Sequence, residues 1–157
     1  MARGIVIYYS QSGNTKEMAE IMATSMNEAG LSTDCKSVEK VKADDLLTYD
    51  AIVIGSPTYY GLMAGPIKQL FDDTVFFHGG LDGKVGAAFS SAANIGGGNE
   101  TTIIGIIEAM LIAGMVVHGD PQGDHYGPVS INKPDDRVKR ECQRRGRRIA
   151  ELTQRLH

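Results

Sequence analysis

Short apolar runs alternate along this chain with stretches in which apolar residues recur at helical spacing. Residues 4–9 (GIVIYY) form a continuous apolar run, the pattern of a strand covered on both faces. Over residues 14–29, Met18, Ile21, Met22 and Met26 repeat with helical period, and Gly30 stands where a helix would stop. Residues 31–38 alternate in part and predict a second strand at a sheet edge. Residues 51–55 (AIVIG) predict a third, buried strand. Gly65 and Pro66 open a short helix with Ile67, Leu70 and Phe71 on one side. Residues 85–89 (VGAAF) predict a fourth strand, with glycine and alanine where a neighbour must pack closely. Residues 101–113 read as a helix and 115–118 (MVVH) as a fifth strand. Val138, Cys142, Ile149, Leu152 and Leu156 line one face of a final helix.

Crossovers of this length between apolar strands predict an α/β fold, a parallel sheet with helices on both faces. Right-handed crossovers narrow it to a doubly wound sheet of five parallel strands. No linker, repeat or low-complexity segment interrupts it, so residues 1–157 are expected to form one domain.

Ligands of such sheets bind beyond the carboxyl ends of the strands, where the strand order reverses. Three segments fall there. The first is Ser10, Gln11, Ser12, Gly13, Asn14 and Thr15. Its hydroxyls and amides are small donors, Gly13 lets an anion approach the backbone, and a helix N-terminus follows. Either the segment grips a phosphate or it is a plain helix cap, since serine and asparagine are preferred there anyway. It matches neither G-x-x-x-x-G-K-[ST] nor G-x-G-x-x-G, which disfavours a nucleoside triphosphate and a dinucleotide and leaves a monophosphate ester.

The second segment is Ser56 followed by Pro57, Thr58, Tyr59, Tyr60 and Gly61. Its tyrosines would either stack on a flat ring or pack on the core. The third runs through Ser90, Ser91, Ala92, Ala93, Asn94, Ile95, Gly96 and Gly97 to Gly98, backbone donors and acceptors with little side-chain bulk. A phosphate cradle, an aromatic wall and a donor-rich loop together describe a pocket for flavin mononucleotide (FMN).

Composition narrows the rest. Hydrophobic residues make up 42% and charged residues 22%, enough for a core and against disorder. A net charge of −3 predicts neither a nucleic-acid binder nor a membrane-surface protein. No apolar run approaches the roughly 20 residues that span a bilayer. The start "MARGIVIYYS" lacks the pattern of a secretory signal, and Cys35 and Cys142 lie far apart, so the expected compartment is the cytoplasm. His78, His118 and His125 have no metal-ligand spacing, and no metal is expected. No G-x-S-x-G elbow is present.

Three further features bear on partners. Phe76, Phe77 and His78 would either roof the flavin and admit a planar quinone or cap the sheet. Helix 101–113 is apolar on nearly every side, which predicts burial against another subunit, a dimer or tetramer, or under the C-terminal segment. From Asp135 onward eight Arg or Lys stand against four Asp or Glu, a net +4 that leaves −7 for the rest. That basic face is expected to be solvated, or else to attract an acidic partner or the phosphates of NADPH.

"IVIYYSQSGNT" resembles the phosphate-binding signature of the flavodoxin superfamily, a strand followed by [ST]-x-[ST]-G-x-T. "GSPTYYGLMAGPIKQLFD" and "SSAANIGGGNETTI" resemble the flavin loops of WrbA-type NAD(P)H:quinone oxidoreductases, and "HYGP" at 125–128 resembles a late Pro-Tyr-Gly element of that branch. The branch's usual insertion between the second and third strands is missing here. The resemblance implies strand order 2-1-3-4-5, phosphate binding by residues 10–15, Thr58, Tyr59 and Tyr60 flanking the isoalloxazine, and residues 91–97 along its pyrimidine side. Tyr126, with residues 76–78, becomes a candidate for substrate access. The implied activity is FMN-dependent reduction of a quinone or flavin by NAD(P)H, with one-electron transfer to a redox protein as the alternative. The chemistry would sit on the flavin, with no catalytic side chain.

Overall fold

The computed structural model describes residues 1–157. Its centre is one sheet in the order β2-β1-β3-β5-β6. Strand β1 (Arg3–Tyr8) pairs in parallel with β2 (Ser32–Ser37) on one side and β3 (Ala51–Tyr59) on the other. Beyond β3 lie β5 (Val85–Ala92) and then β6 (Val116–Val117), also parallel. A two-residue strand, β4 (Leu62–Met63), folds back antiparallel on the end of β3.

Four helices cover the sheet. They are α1 (Asn14–Glu28), α2 (Gly65–Asp73), α3 (Asn99–Ile112) and α4 (Asp136–Leu156). Period-two alternation along the strands sends side chains to two cores. Val6, Val53 and Phe89 face one side with Met18, Met22 and Met26 of α1 and Cys142 and Ile149 of α4. Ile5, Ile7, Ile52 and Ile54 face the other, with Ile67 and Leu70 of α2 and Ile103, Ile106 and Met110 of α3. The close packing expected in the fourth predicted strand is visible at Gly86, where a Cβ would come within 2.8 Å of the Met110 sulfur.

The fifth sheet position departs from the expected single strand. Only Val116 and Val117 pair there, with Val85 and Gly86. The chain then leaves the sheet and returns as β7 (Val129–Ile131), parallel to Ser90–Ala92. Gly119, Pro121 and Gly123 follow β6 and do not favour a continued strand.

The basic helix explains what holds the excursion. Arg144 donates from Nε and Nη2 to the two Asp120 oxygens, both at 2.9 Å, and Arg148 Nε lies 3.3 Å from the same carboxylate. Arg145, almost fully buried, donates to the carbonyls of His118, Asp124 and His125. Arg137 donates to Asp124 and to the Val129 carbonyl. The expectation of a merely solvated basic face is corrected: four of its arginines fasten residues 118–129 to α4. The Arg144 hydrogen bonds hold the Asp120 carboxyl down at about 2 despite its burial.

Candidate functional site

Tyr8 ends β1 and Gly13 begins the next helix with φ 94°, a left-handed conformation natural to glycine. Between them Ser10 accepts from the Gly13 amide at 3.0 Å. The amides of Asn14, Thr15 and Lys16 have no acceptor within the chain, as the first turn of a helix requires. These donors converge at the positive end of α1 beside the hydroxyls of Ser10, Ser12 and Thr15. The Thr15 hydroxyl is buried and lies 2.9 Å from that of Ser91, tying the first segment to the third.

The second segment is not a free loop. β3 continues past Gly55 to Tyr59, with Pro57 opposite Ser91 in β5, and turns at Tyr60 and Gly61 into β4. Both turn residues have positive φ, 52° and 75°, the geometry of a type I′ hairpin turn. Tyr59 is 40% exposed and meets Tyr9 edge-on, the ring centroids 6.5 Å apart. Burial, and then Tyr9, raise the Tyr59 hydroxyl above its usual range, so it stays a neutral donor. Tyr60 is fully exposed.

In the third segment β5 extends to Ala92, beyond the expected strand end. Alternation turns Ser90 away from the site: its hydroxyl is buried against the Asn99 carbonyl and side chain at 3.0 and 2.8 Å. Ser91 faces the opposite way, toward Thr15.

Together these elements enclose a cavity of about 210 Å³ at the carboxyl ends of the strands. Ser10, Gln11, Ser12, Asn14, Thr15, Pro57, Thr58, Tyr59, Ser91, Ala92 and Ala93 line it. Asn132 lines it too, and was not anticipated. It sits just after β7 with φ 57°, its amide hydrogen-bonded to the Ala92 carbonyl and its side chain to the Ala93 carbonyl. The signal was an asparagine in a turn before Lys133-Pro134, since asparagine tolerates the left-handed region. Gly13, Tyr60, Gly61, Ser90, Asn94, Ile95, Gly96 and Gly97 do not line the cavity. Tyr60 and Gly61 form the turn next to Tyr59, and residues 94–97 form an exposed turn closed by the Gly97 amide on the Asn94 carbonyl.

Phe76, Phe77 and His78 are not at this site. Helix α2 carries the chain back across the sheet, about 13 Å at 1.5 Å per residue. Phe77 lands near Gly80 and Leu47, at the amino ends of the strands. His78 lines a separate groove with Phe71, Val75, Ala109 and Ile112. Residues 76–78 therefore do not roof the cavity of their own chain. Tyr126 lines another hollow, of about 180 Å³, with Glu100, Ile103 and His125. Cys142 is buried, which pushes its thiol up to about 12, and partial desolvation and then Glu20 raise the exposed Cys35 thiol to about 11.

A flavodoxin-domain family profile matches residues 5–90, a span that carries α1, the hairpin turn and most of β5. The chain belongs to the flavodoxin-domain family. The flavodoxin of Aquifex aeolicus is 38% identical, over 96% of this chain and 86% of that protein. An NAD(P)H dehydrogenase (quinone) of Caulobacter vibrioides is 32% identical over the whole of both chains. A solved archaeal flavodoxin superposes with a TM-score of 0.80 at 35% identity, covering 97% of this chain and 99% of that one. Flavodoxin domains bind FMN, and this one carries the donor set to do so. Three unpartnered amides and three hydroxyls suit a phosphate, no charged side chain lines the cavity, and Tyr59 supplies an aromatic wall.

Proposed function

We propose that this flavodoxin domain, residues 1–157, is an FMN-dependent oxidoreductase that passes electrons from NAD(P)H to a quinone. The observation that carries the reading is the uncharged cavity at the strand ends, bounded by a phosphate-ready helix terminus and an aromatic hairpin. Ser10, Ser12, Asn14, Thr15 and the first amides of α1 would hold the phosphate, each bond to a charged acceptor contributing roughly 1.5–3 kcal/mol. Thr58, Tyr59 and Tyr60 would flank the ring system, with Ser91, Ala92, Ala93 and Asn132 on the opposite wall. FMN supplies the redox chemistry, accepting hydride or single electrons and releasing them to an acceptor. Pro57 and Ala92 would keep water from the ring, and the neutral Tyr59 hydroxyl could donate a hydrogen bond but not a negative charge.

Exposed apolar groups sit on the segments that bound the cavity: Tyr60 and Leu62 on the hairpin and Ile95 after β5 stand in solvent. That surface suits a planar, uncharged acceptor better than a basic redox protein, whose docking would call on complementary charge. The test is a visible spectrum of the purified chain followed by NADH and NADPH titration with benzoquinone. Flavin absorbance with quinone-dependent oxidation of the nicotinamide supports the reading.

One observation favours a second reading, a one-electron carrier between redox enzymes: the Aquifex aeolicus flavodoxin matches nearly the whole chain. A flavin-loaded protein inert to NAD(P)H but reducible by a redox protein would establish that alternative. Under either reading Leu111 and Ile112, exposed on α3, would bury against a second copy in a dimer or tetramer, which gel filtration checks. No helix is long and apolar enough to cross a membrane, and the reduced thiols fit a cytoplasmic site of action.

A further inference from the structure

The β3–β4 hairpin has only two paired positions, Thr58 with Met63 and Tyr59 with Leu62. A ladder that short does not fix its own turn. Its turn also holds Tyr60 in the left-handed region, where a residue with a Cβ is strained. Something outside the hairpin must keep it in place.

The first turn of α3 does so. The Thr101 hydroxyl lies 2.6 Å from the Gly61 carbonyl and 3.0 Å from the Gly98 carbonyl. Next to it the Thr102 hydroxyl donates to that of Thr58 at 3.2 Å. Backbone meets backbone beneath them, since a Cβ on Gly98 would fall 2.6 Å from the Gly61 Cα. A hydroxyl has one hydrogen, so Thr101 serves one carbonyl at a time, and Gly61 is the nearer. If the turn moves away, the hydroxyl can rotate onto Gly98, three residues back in its own chain, and no donor is stranded.

We propose that Thr101 is a positioning residue, a releasable latch whose hydroxyl, through the Gly61 carbonyl, holds the Tyr60–Gly61 turn and thereby sets the aromatic wall of the flavin cavity. The proposal rests on the FMN reading for its consequence and on the hairpin geometry for its existence. Thr101 does not line the cavity. It acts by fixing where Tyr59 and Tyr60 stand, while its second acceptor lets the turn move when a ligand enters.

Hydrogen exchange of the flavin-free protein tests the latch, with Thr101→Val removing the hydroxyl and Thr101→Ser restoring it. Amides of residues 58–63 should exchange about fivefold faster in Thr101→Val, the loss of one ordinary hydrogen bond. Those of the α3 interior should be unchanged, and Thr101→Ser should match the parent. Titration with FMN, read by flavin fluorescence, should show weaker binding by a similar factor for the valine variant alone. Parent-like exchange in Thr101→Val overturns the latch, as does a serine variant that behaves like the valine one. A parent that exchanges as expected but fails to bind FMN removes the flavin reading and leaves the latch standing.

Discussion

The hydroxyls of Thr15 and Ser91 stand 2.9 Å apart in the buried floor of the cavity, joining the first turn of α1 to the end of β5. Neither side chain has another hydrogen-bond partner within the chain, so each depends on the other. Thr15→Val strands the Ser91 hydroxyl and should cost about 1–3 kcal/mol in the flavin-free protein. Adding Ser91→Ala should recover part of that loss, because two apolar neighbours no longer bury an unpaired group. Urea unfolding of the two single variants and the double variant measures the coupling.

The unpartnered amides of Asn14, Thr15 and Lys16 predict that phosphate carries much of the ligand's affinity. FMN should bind at least roughly 100-fold more tightly than riboflavin, the yield of about two charge-assisted hydrogen bonds. Fluorescence titration with both flavins decides this. Equal affinities would move the phosphate away from α1.

Two left-handed glycines should respond differently to alanine. At Gly13 an added Cβ meets nothing within 4 Å, so Gly13→Ala carries only the conformational cost, about 1–2 kcal/mol. Gly98, with φ 108°, adds the collision with the Gly61 backbone. Gly98→Ala should therefore lower the melting temperature further than Gly13→Ala, which calorimetry of the two variants compares.

Asp120 predicts a pH dependence. Its carboxyl is held at about 2 in the folded protein by Arg144, below the ordinary 3.8. A depressed folded-state value stabilises the fold fully above about pH 4, and that share is lost as pH falls toward 2. Asp120→Asn leaves two arginines without their carboxylate. The cost should be on the order of 2 kcal/mol at neutral pH, less than for a fully buried pair because the Arg144 side chain is 34% exposed. Unfolding curves of parent and variant should converge as the pH is lowered to 2.

Much of the fold was legible because the signals were local. The runs at 4–9 and 51–55 and the methionine spacing in α1 each report burial that a neighbouring residue can confirm. The site was less so. The third strand was expected to stop at Gly55, yet β3 continues through Pro57 to Tyr59 because pairing with β5 persists and an antiparallel hairpin finishes it. The same extension sets the alternation that turns Ser90 inward and Ser91 toward the cavity, which a loop reading could not give. For residues 76–78 the choice between roofing the ligand and capping the sheet stayed open, because a chain position says nothing about which rim a returning helix reaches. Asn132 and the arginines of α4 were hidden for a different reason. Their roles exist only once residues 118–129 have folded back against elements that precede and follow them.

That last dependence has a consequence for how the molecule is made. Every arginine that secures the excursion, from Arg137 to Arg148, is encoded after the segment it secures. On the ribosome, β7 and Asn132 can pair with β5 as they emerge, but the arginine contacts behind them wait for α4. The phosphate end of the pocket, built from residues 10–16, is synthesised long before its opposite wall can close.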